Sequence, residues 1–570
     1  MARLLRLWLA VLWLVACHAA HAEGVLVITS SPSPPGRFIA LEQAARAHGL
    51  PLRARFVEKI PADELNASLW QGAELVLLDA PRPHIEDHMR GKLGAALPAL
   101  DRVPHAWLPS AAPRPGGGLD PELAARLHGY FVHGGARNSE WLLRTLAAWR
   151  AGRDWRAQPA PQVFPTSAIY HPALADLVAT TPREYFTARG IDAANRPPTV
   201  AIAFHQGSIA SGQTAFLDDL IRRIESAGGL ALPFYSPVMS PDAVRSMITI
   251  DGAPVADAMV NTQITLNPEA RRREFEALGL PVIQAMAWRR GSAAQWAADP
   301  HGIALVDVPF YLAQAEYAGI ADIQVAMAMR EGDEQLVPIE PQAAAIAAKA
   351  MNLVALQRKP PASKRVAIFF WNYPAGERNL SASFMNLPRS LSATLEAMRA
   401  AGYRTEALAE QPLTERLQRL LAPAYRPPED REVMRALLRD GLADRLPVAR
   451  YRTWLRTLPA AQQAALLQRW GEPERSAMVL RDPQIDGGEP FFVVPRLQLG
   501  HVALLPQPGR AERGDDREKA LYHSLGALPT HHYMAVYLWA RQQFAADALV
   551  HFGTHGTQEW LCFLLTRVEC

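Results

Sequence analysis

Between residues 523 and 559 the chain gathers His523, His531, His532, His551, His555 and Glu559, and so places five of its 17 histidines in a small fraction of its length. Imidazole nitrogens and carboxylate oxygens are donors to transition metals, and imidazole also moves protons near neutral pH. His551, His555 and Glu559 lie in the segment VHFGTHGTQEW. Their four-residue spacing is not one helical face, because Gly553 and Gly556 argue for a loop whose backbone can approach a ligand closely. The loop geometry can point all three inward, which makes them candidate metal ligands or proton carriers. Each residue also has a structural reading. His523 and His531 can cap loops, Tyr533 can belong to the core, and Glu559 can be a first-turn carboxylate favoured by a helix dipole. No H-E-x-x-H or C-x-x-C box is present, which argues against a closed zinc site.

Particular elements must hold these groups. Residues 547–552 form an apolar run that predicts a strand ending in His551. Residues 531–544 predict a helix, with Tyr533, Val536, Tyr537, Ala540 and Phe544 on one face. Thr557 is placed to cap a helix beginning at Gln558 and Glu559. In open parallel sheets, ligands bind beyond the carboxyl ends of strands. The loop after residue 552 is then the place for a site.

The rest of the chain repeats strand, loop and helix. Residues 25–29, 75–78, 200–204, 230–235, 258–260, 281–285, 303–306 and 365–371 are short apolar runs. Helices are expected at 38–48, 216–227 and 387–401, several ended by glycine. This alternation predicts an α/β protein of several Rossmann-like parallel-sheet units. Proline-rich segments near 158–165 and at Lys359-Pro360-Pro361 suggest boundaries, giving α/β domains at 23–160 and 161–358 and a core domain from 359 to 570. The arginine-, leucine- and alanine-rich stretch at 411–475 predicts an inserted helical segment, its arginines on a solvated face. The glycines at 116–118 lack the G-x-G-x-x-G context of a dinucleotide fold.

Composition sets limits. Hydrophobic residues make up 49% and charged residues 20% of the 570, enough for large cores. A net charge of +3 does not point to nucleic acid. The three cysteines, Cys17, Cys562 and Cys570, form no disulfide framework. Arg3 and Arg6, an apolar run over 7–16 and Ala20-His21-Ala22 have the pattern of a secretory signal. Leu14-Val15-Ala16-Cys17 also fits a lipoprotein box, so a periplasmic or exported protein is expected, with a lipid anchor at Cys17 as the alternative. No other stretch is long and apolar enough to span a membrane.

The stretch KALYHSLGALPTHHYMAVYLW, followed by ADALVHFGTHGTQEWL, resembles the cobaltochelatase large subunit (CobN) and magnesium chelatase H subunit family. Segments nearer the N-terminus fit in the same order: YFVHGGARN at 130–138, AIYHP at 168–172, FHQGSIASGQTAF and NYPAGERNL. The resemblance implies a tetrapyrrole as substrate, corrin or porphyrin, and a divalent metal (cobalt, magnesium or iron) to insert. It implies ATP used only through AAA+ ATPase partner subunits. It assigns Glu559 as the base for the inner pyrrole protons, with His555 and His551 handling metal. His531, His532, Tyr533, Gln507 and Arg510 would line the substrate chamber, Arg510 holding a ring carboxylate. Where the family continues past Glu559-Trp560-Leu561 with Pro-Gly-Lys, this chain reads CFLLTRVEC, which suggests a disrupted gene and an inactive fragment. Export instead suggests a tetrapyrrole or metal carrier, or a demetallating protein, linked to uptake.

Overall fold

The computed structural model describes residues 24–554, apart from 32, 321, 427–429 and 510–527. The signal-like segment, His523, Arg510, His555, Glu559 and all three cysteines lie outside the described residues. The chain divides into two compact units, Met1–Met351 and Asn352–Cys570.

The first unit holds two twisted sheets. One runs in the order Leu52–Phe56, Gly24–Thr29, Ala73–Asp79, His105–Leu108, Arg114–Gly116, parallel except for its last strand. In the second, Leu230–Tyr235, Thr199–Ala203, Ala258–Asn261, Val282–Trp288 and Asp322–Met329 lie side by side and parallel, with antiparallel strands at both edges. In both, the first of the parallel strands lies between the second and the third, the doubly wound order. The parallel strands are buried on both faces, hence their unbroken apolar sequence: all of Thr199–Ala203 is buried.

One departure from the sequence reading has a local cause. Residues 303–306 are not a strand; Leu305–Asp307 is a 3-10 turn, with Leu305 86% and Val306 72% exposed. An apolar run alone does not distinguish strand from turn. The segment at 130–138 is a helix junction. Gly134 has φ 58°, and a Cβ there would lie 1.9 Å from the Ala210 carbonyl oxygen, so only glycine fits. Asn138, fully buried, donates to the carbonyls of Gly134 (2.8 Å) and Gln162 (2.9 Å) and accepts from the Gln162 N–H. This motif builds the fold.

The second unit is built on a four-stranded sheet: Leu497–Leu499, Val502–Pro506, Val366–Phe370, Ala548–Phe552. The last three are parallel. Side chains alternate between two cores. Val366, Ile368, Phe370, Val502 and Leu504 pack with the helix Leu387–Ala400 and the helix Glu410–Tyr425. Ala367, Phe369, Ala503 and Leu505 face the opposite way, against Tyr533, Val536 and Trp539.

The 411–475 segment is largely helical: Glu410–Tyr425, Arg431–Arg439, Val448–Leu455 and Ala460–Trp470. The sequence carries no warning of the strand Ala443–Pro447 inside it. That strand pairs antiparallel with Phe491–Pro495, itself paired to Val479–Leu480. Its arginine-rich helices face solvent as ion pairs; Arg452 holds Glu472 at 2.7 Å and Glu474 at 2.6 Å. No helix among the described residues is long and apolar enough to cross a membrane.

Candidate functional site

Three parallel strands of the second unit end side by side and deliver the site. Val502–Pro506 leads into Gln507, Val366–Phe370 leads into Trp371 and Asn372, and Ala548–Phe552 carries His551. Hydrogen bonds pin the ends: Gln507 N–H donates to the Phe370 carbonyl and Trp371 N–H to the Phe552 carbonyl, each at 2.9 Å. Gly553 then passes so near Trp371 that a Cβ would lie 2.9 Å from the tryptophan Cβ. The glycine of the sequence motif is there for a close approach.

Above these ends lies the helix His531–Leu538, capped by the Thr530 hydroxyl, which accepts from Tyr533 N–H at 3.1 Å. The helix continues as a π turn over Trp539–Gln543. Tyr537 is central. Its ring stacks on Phe369 at 4.6 Å with a 4° interplanar angle, and on Tyr533 at 5.0 Å. Its hydroxyl donates to Gln507 Oε1 at 3.2 Å and lies 2.9 Å from His551 Nε2. A hydroxyl has one proton. With that proton on Gln507, His551 Nε2–H is the donor to the tyrosine oxygen, and the imidazole lone pair is on His551 Nδ1. His551 is exposed, and its ring lies 5.6 Å from Phe369, its register partner.

Beside this array is a cavity of about 150 Å³ bordered by Trp371, Asn372, Tyr425, Gln507, Thr530 and His532, with proline and aliphatic side chains completing the wall. No Lys, Arg, Asp or Glu among the described residues borders it. Asn372 is oriented by the Gly376 and Asn379 carbonyls, at 2.9 and 3.1 Å, and touches the Tyr425 hydroxyl at 3.3 Å.

The two adjacent histidines differ. His531 is 1% exposed, and both ring nitrogens are engaged. Nε2 lies 2.9 Å from the Gly471 carbonyl, and Nδ1 lies 2.8 Å from the Tyr451 hydroxyl. Burial lowers its pKa, opposed by the Gly471 carbonyl, and the neutral ring ties the helix to the segment after Trp470. His532 borders the cavity. Its Nε2–H donates to the Val493 carbonyl at 3.2 Å, and burial pushes its pKa down to about 4 against the pull of that carbonyl. Tyr533 is 2% exposed and stands in the core.

The structure thus brings Gln507, His532 and, through Tyr537, His551 to one place, while His531 and Tyr533 support it from inside. Arg510, His555 and Glu559 lie outside the described residues. Among the described residues no group of three His, Cys, Asp or Glu side chains is set to hold a metal ion. Sequence reasoning passed over Trp371, Asn372 and Tyr425. Trp371 ends a predicted strand and Asn372 follows it directly, which was the available signal; Tyr425 offered none.

An oriented imidazole and a cavity that no charged side chain among the described residues borders, at the carboxyl ends of parallel strands, define an α/β protein with a candidate ligand site. The chain belongs to the CobN/Magnesium Chelatase family, whose sequence profile matches residues 128–562. It is 30% identical over 477 residues to the aerobic cobaltochelatase subunit CobN of Sinorhizobium sp, covering 79% of this chain and 35% of that protein. It is 26% identical over 466 residues to the magnesium-chelatase H subunit of Rhodobacter capsulatus, covering 76% and 36%. The solved catalytic subunit of cobaltochelatase from Mycobacterium tuberculosis has the same fold, with a TM-score of 0.69 at 23% identity over 94% of this chain and 43% of that one. The chain spans about a third of the length of the curated relatives it matches.

Proposed function

We propose that this chain is a tetrapyrrole-binding part of a metal chelatase large subunit, receiving a corrin or porphyrin ring at the second unit's strand ends. The observation that carries the reading is the Gln507–Tyr537–His551 array beside a cavity that no charged side chain among the described residues borders, inside the region matched by the family. At about 150 Å³ the cavity is smaller than an ordinary small-molecule pocket, so a macrocycle lies across its mouth and not within it. Aromatic and aliphatic walls suit the ring's apolar surface, and the side-chain amides of Asn372 and Gln507 suit its neutral polar groups.

In this reading the divalent metal (cobalt, magnesium or iron) is a substrate. Insertion releases the inner pyrrole protons, so a base must stand at the ring. Glu559 has that role, with His555 and His551 passing the metal. Arg510 pairs with a ring carboxylate. AAA+ ATPase subunits supply ATP hydrolysis as separate partners. The leader-like start directs export, with Cys17 lipidation as the alternative, and cell fractionation tests it.

The function is tested by titrating the purified chain with metal-free protoporphyrin and with a corrinoid. A shifted Soret or corrin band with saturation at micromolar ligand is expected. Absence of binding to both rings overturns the proposal.

A further inference from the structure

We infer that His532 is an axial nitrogen donor to the metal ion once that ion sits in a tetrapyrrole ring, an inference that rests on the function proposed above. The ring of His532 borders the cavity over which the macrocycle lies. Its Nε2–H is committed to the carbonyl of Val493, in the fully buried strand Phe491–Pro495, so the acceptor is fixed. Donation of one ring N–H to a backbone carbonyl is how proteins set the tautomer and direction of a metal-bound imidazole. The lone pair is then on Nδ1, and among the described residues Nδ1 makes no hydrogen bond. Burial keeps that nitrogen unprotonated down to about pH 4, so no proton competes with a metal at neutral pH.

Two further features select a ring-bound ion over a free one. A protein-only site needs several donors, and the described residues offer no such group. A tetrapyrrole supplies the equatorial nitrogens itself, so a single imidazole completes the coordination. The cavity has no charged side chain among the described residues, and a bare divalent ion there would lose its hydration without compensation. A divalent ion in a doubly deprotonated ring has no net charge at its centre and suffers no such loss. His551 is placed differently. It is exposed and tied to Tyr537, and it does not border the cavity, which suits handling metal before insertion.

Cobalt(II) protoporphyrin, added anaerobically to the purified chain, reports the axial donor by electron paramagnetic resonance. One axial ¹⁴N splits each parallel cobalt line into a triplet. The expected result is a triplet that becomes a doublet with ¹⁵N-histidine labelling, persists in His551→Ala, is lost in His532→Ala, and returns when free imidazole is added to that variant. Circular dichroism confirms that the variants are folded. If His532→Ala does not fold, His532→Met serves in its place, with the triplet replaced by unsplit lines. Unsplit lines from the wild-type chain with the ring bound overturn the inference, as does a triplet that survives loss of His532 or vanishes with His551. Metal-free protoporphyrin is titrated in parallel. Failure of that ring to bind counts against the proposed function, whereas binding without nitrogen splitting counts against His532 alone.

Discussion

The Tyr537 hydroxyl lies 2.9 Å from His551 Nε2 and at the same time donates to Gln507 Oε1 at 3.2 Å, so one oxygen joins two strand ends that are far apart in sequence. Tyr537 itself is held by its stack on Phe369. Tyr537→Phe keeps the stack and removes both hydrogen bonds. The expected cost in stability is about 1 kcal/mol, the net worth of such bonds. With His551 handling metal as proposed, the effect on metal handling is larger, because outer-sphere partners of a ligating imidazole typically contribute about 10- to 100-fold in affinity or activity. On the proposed function, metallation assayed with the proposed ATPase subunits should fall by about that factor while ring binding changes little. An unchanged metallation rate would remove His551 from the metal's path.

His531 predicts the opposite pattern. Its ring satisfies the Gly471 carbonyl and the Tyr451 hydroxyl inside the core. His531→Ala leaves both without partners and opens a void, a loss of about 2–4 kcal/mol. Urea unfolding should show that loss, and the fraction that remains folded should bind ring as the wild type does. A ring affinity reduced tenfold at full foldedness would return His531 to the binding surface.

The sequence carried the parallel core well. Strands buried on both faces must be apolar throughout, so Val366–Phe370 and Thr199–Ala203 announce themselves. Ala443–Pro447 does not. Its residues, ADRLP, include two charges and a proline, and pairing with Phe491–Pro495 makes it a strand. His551 at a strand end was legible, because an apolar run followed by Gly-Thr marks where a parallel strand opens to solvent. The difference between His531 and His532 was not. It depends on the carbonyls of Gly471 and Val493, 60 and 39 residues away, and no local pattern encodes a partner at such range.

These two rings also fix a pH dependence. Both have pKa values lowered by burial, His532 to about 4 from an ordinary 6.5. Between those values the unfolded chain binds a proton that the folded one refuses. Stability from this source is therefore fully present above about pH 6.5 and is lost as the pH falls towards 4. His532 alone accounts for at most about 3 kcal/mol of that loss. Urea midpoints measured from about pH 7 to pH 4 should fall, and His532→Gln should flatten the slope. A slope unaltered in that variant would show that His532 titrates normally.

The cavity provides the sharpest contrast between binding and folding. Ala477 lies on its wall and is only half-buried, so a larger side chain there can extend into the space without displacing the core. The indole of Ala477→Trp takes up most of the cavity's roughly 150 Å³. Because the indole crowds the cavity over which the macrocycle would lie, protoporphyrin affinity should drop at least about tenfold, or about 1.4 kcal/mol. Stability should change by less than that, since nothing buried is removed. Fluorescence quenching gives the affinity and thermal unfolding gives the stability. Wild-type affinity in a folded Ala477→Trp chain would mean that the ring binds elsewhere, and the strand-end array would then need another ligand to explain it.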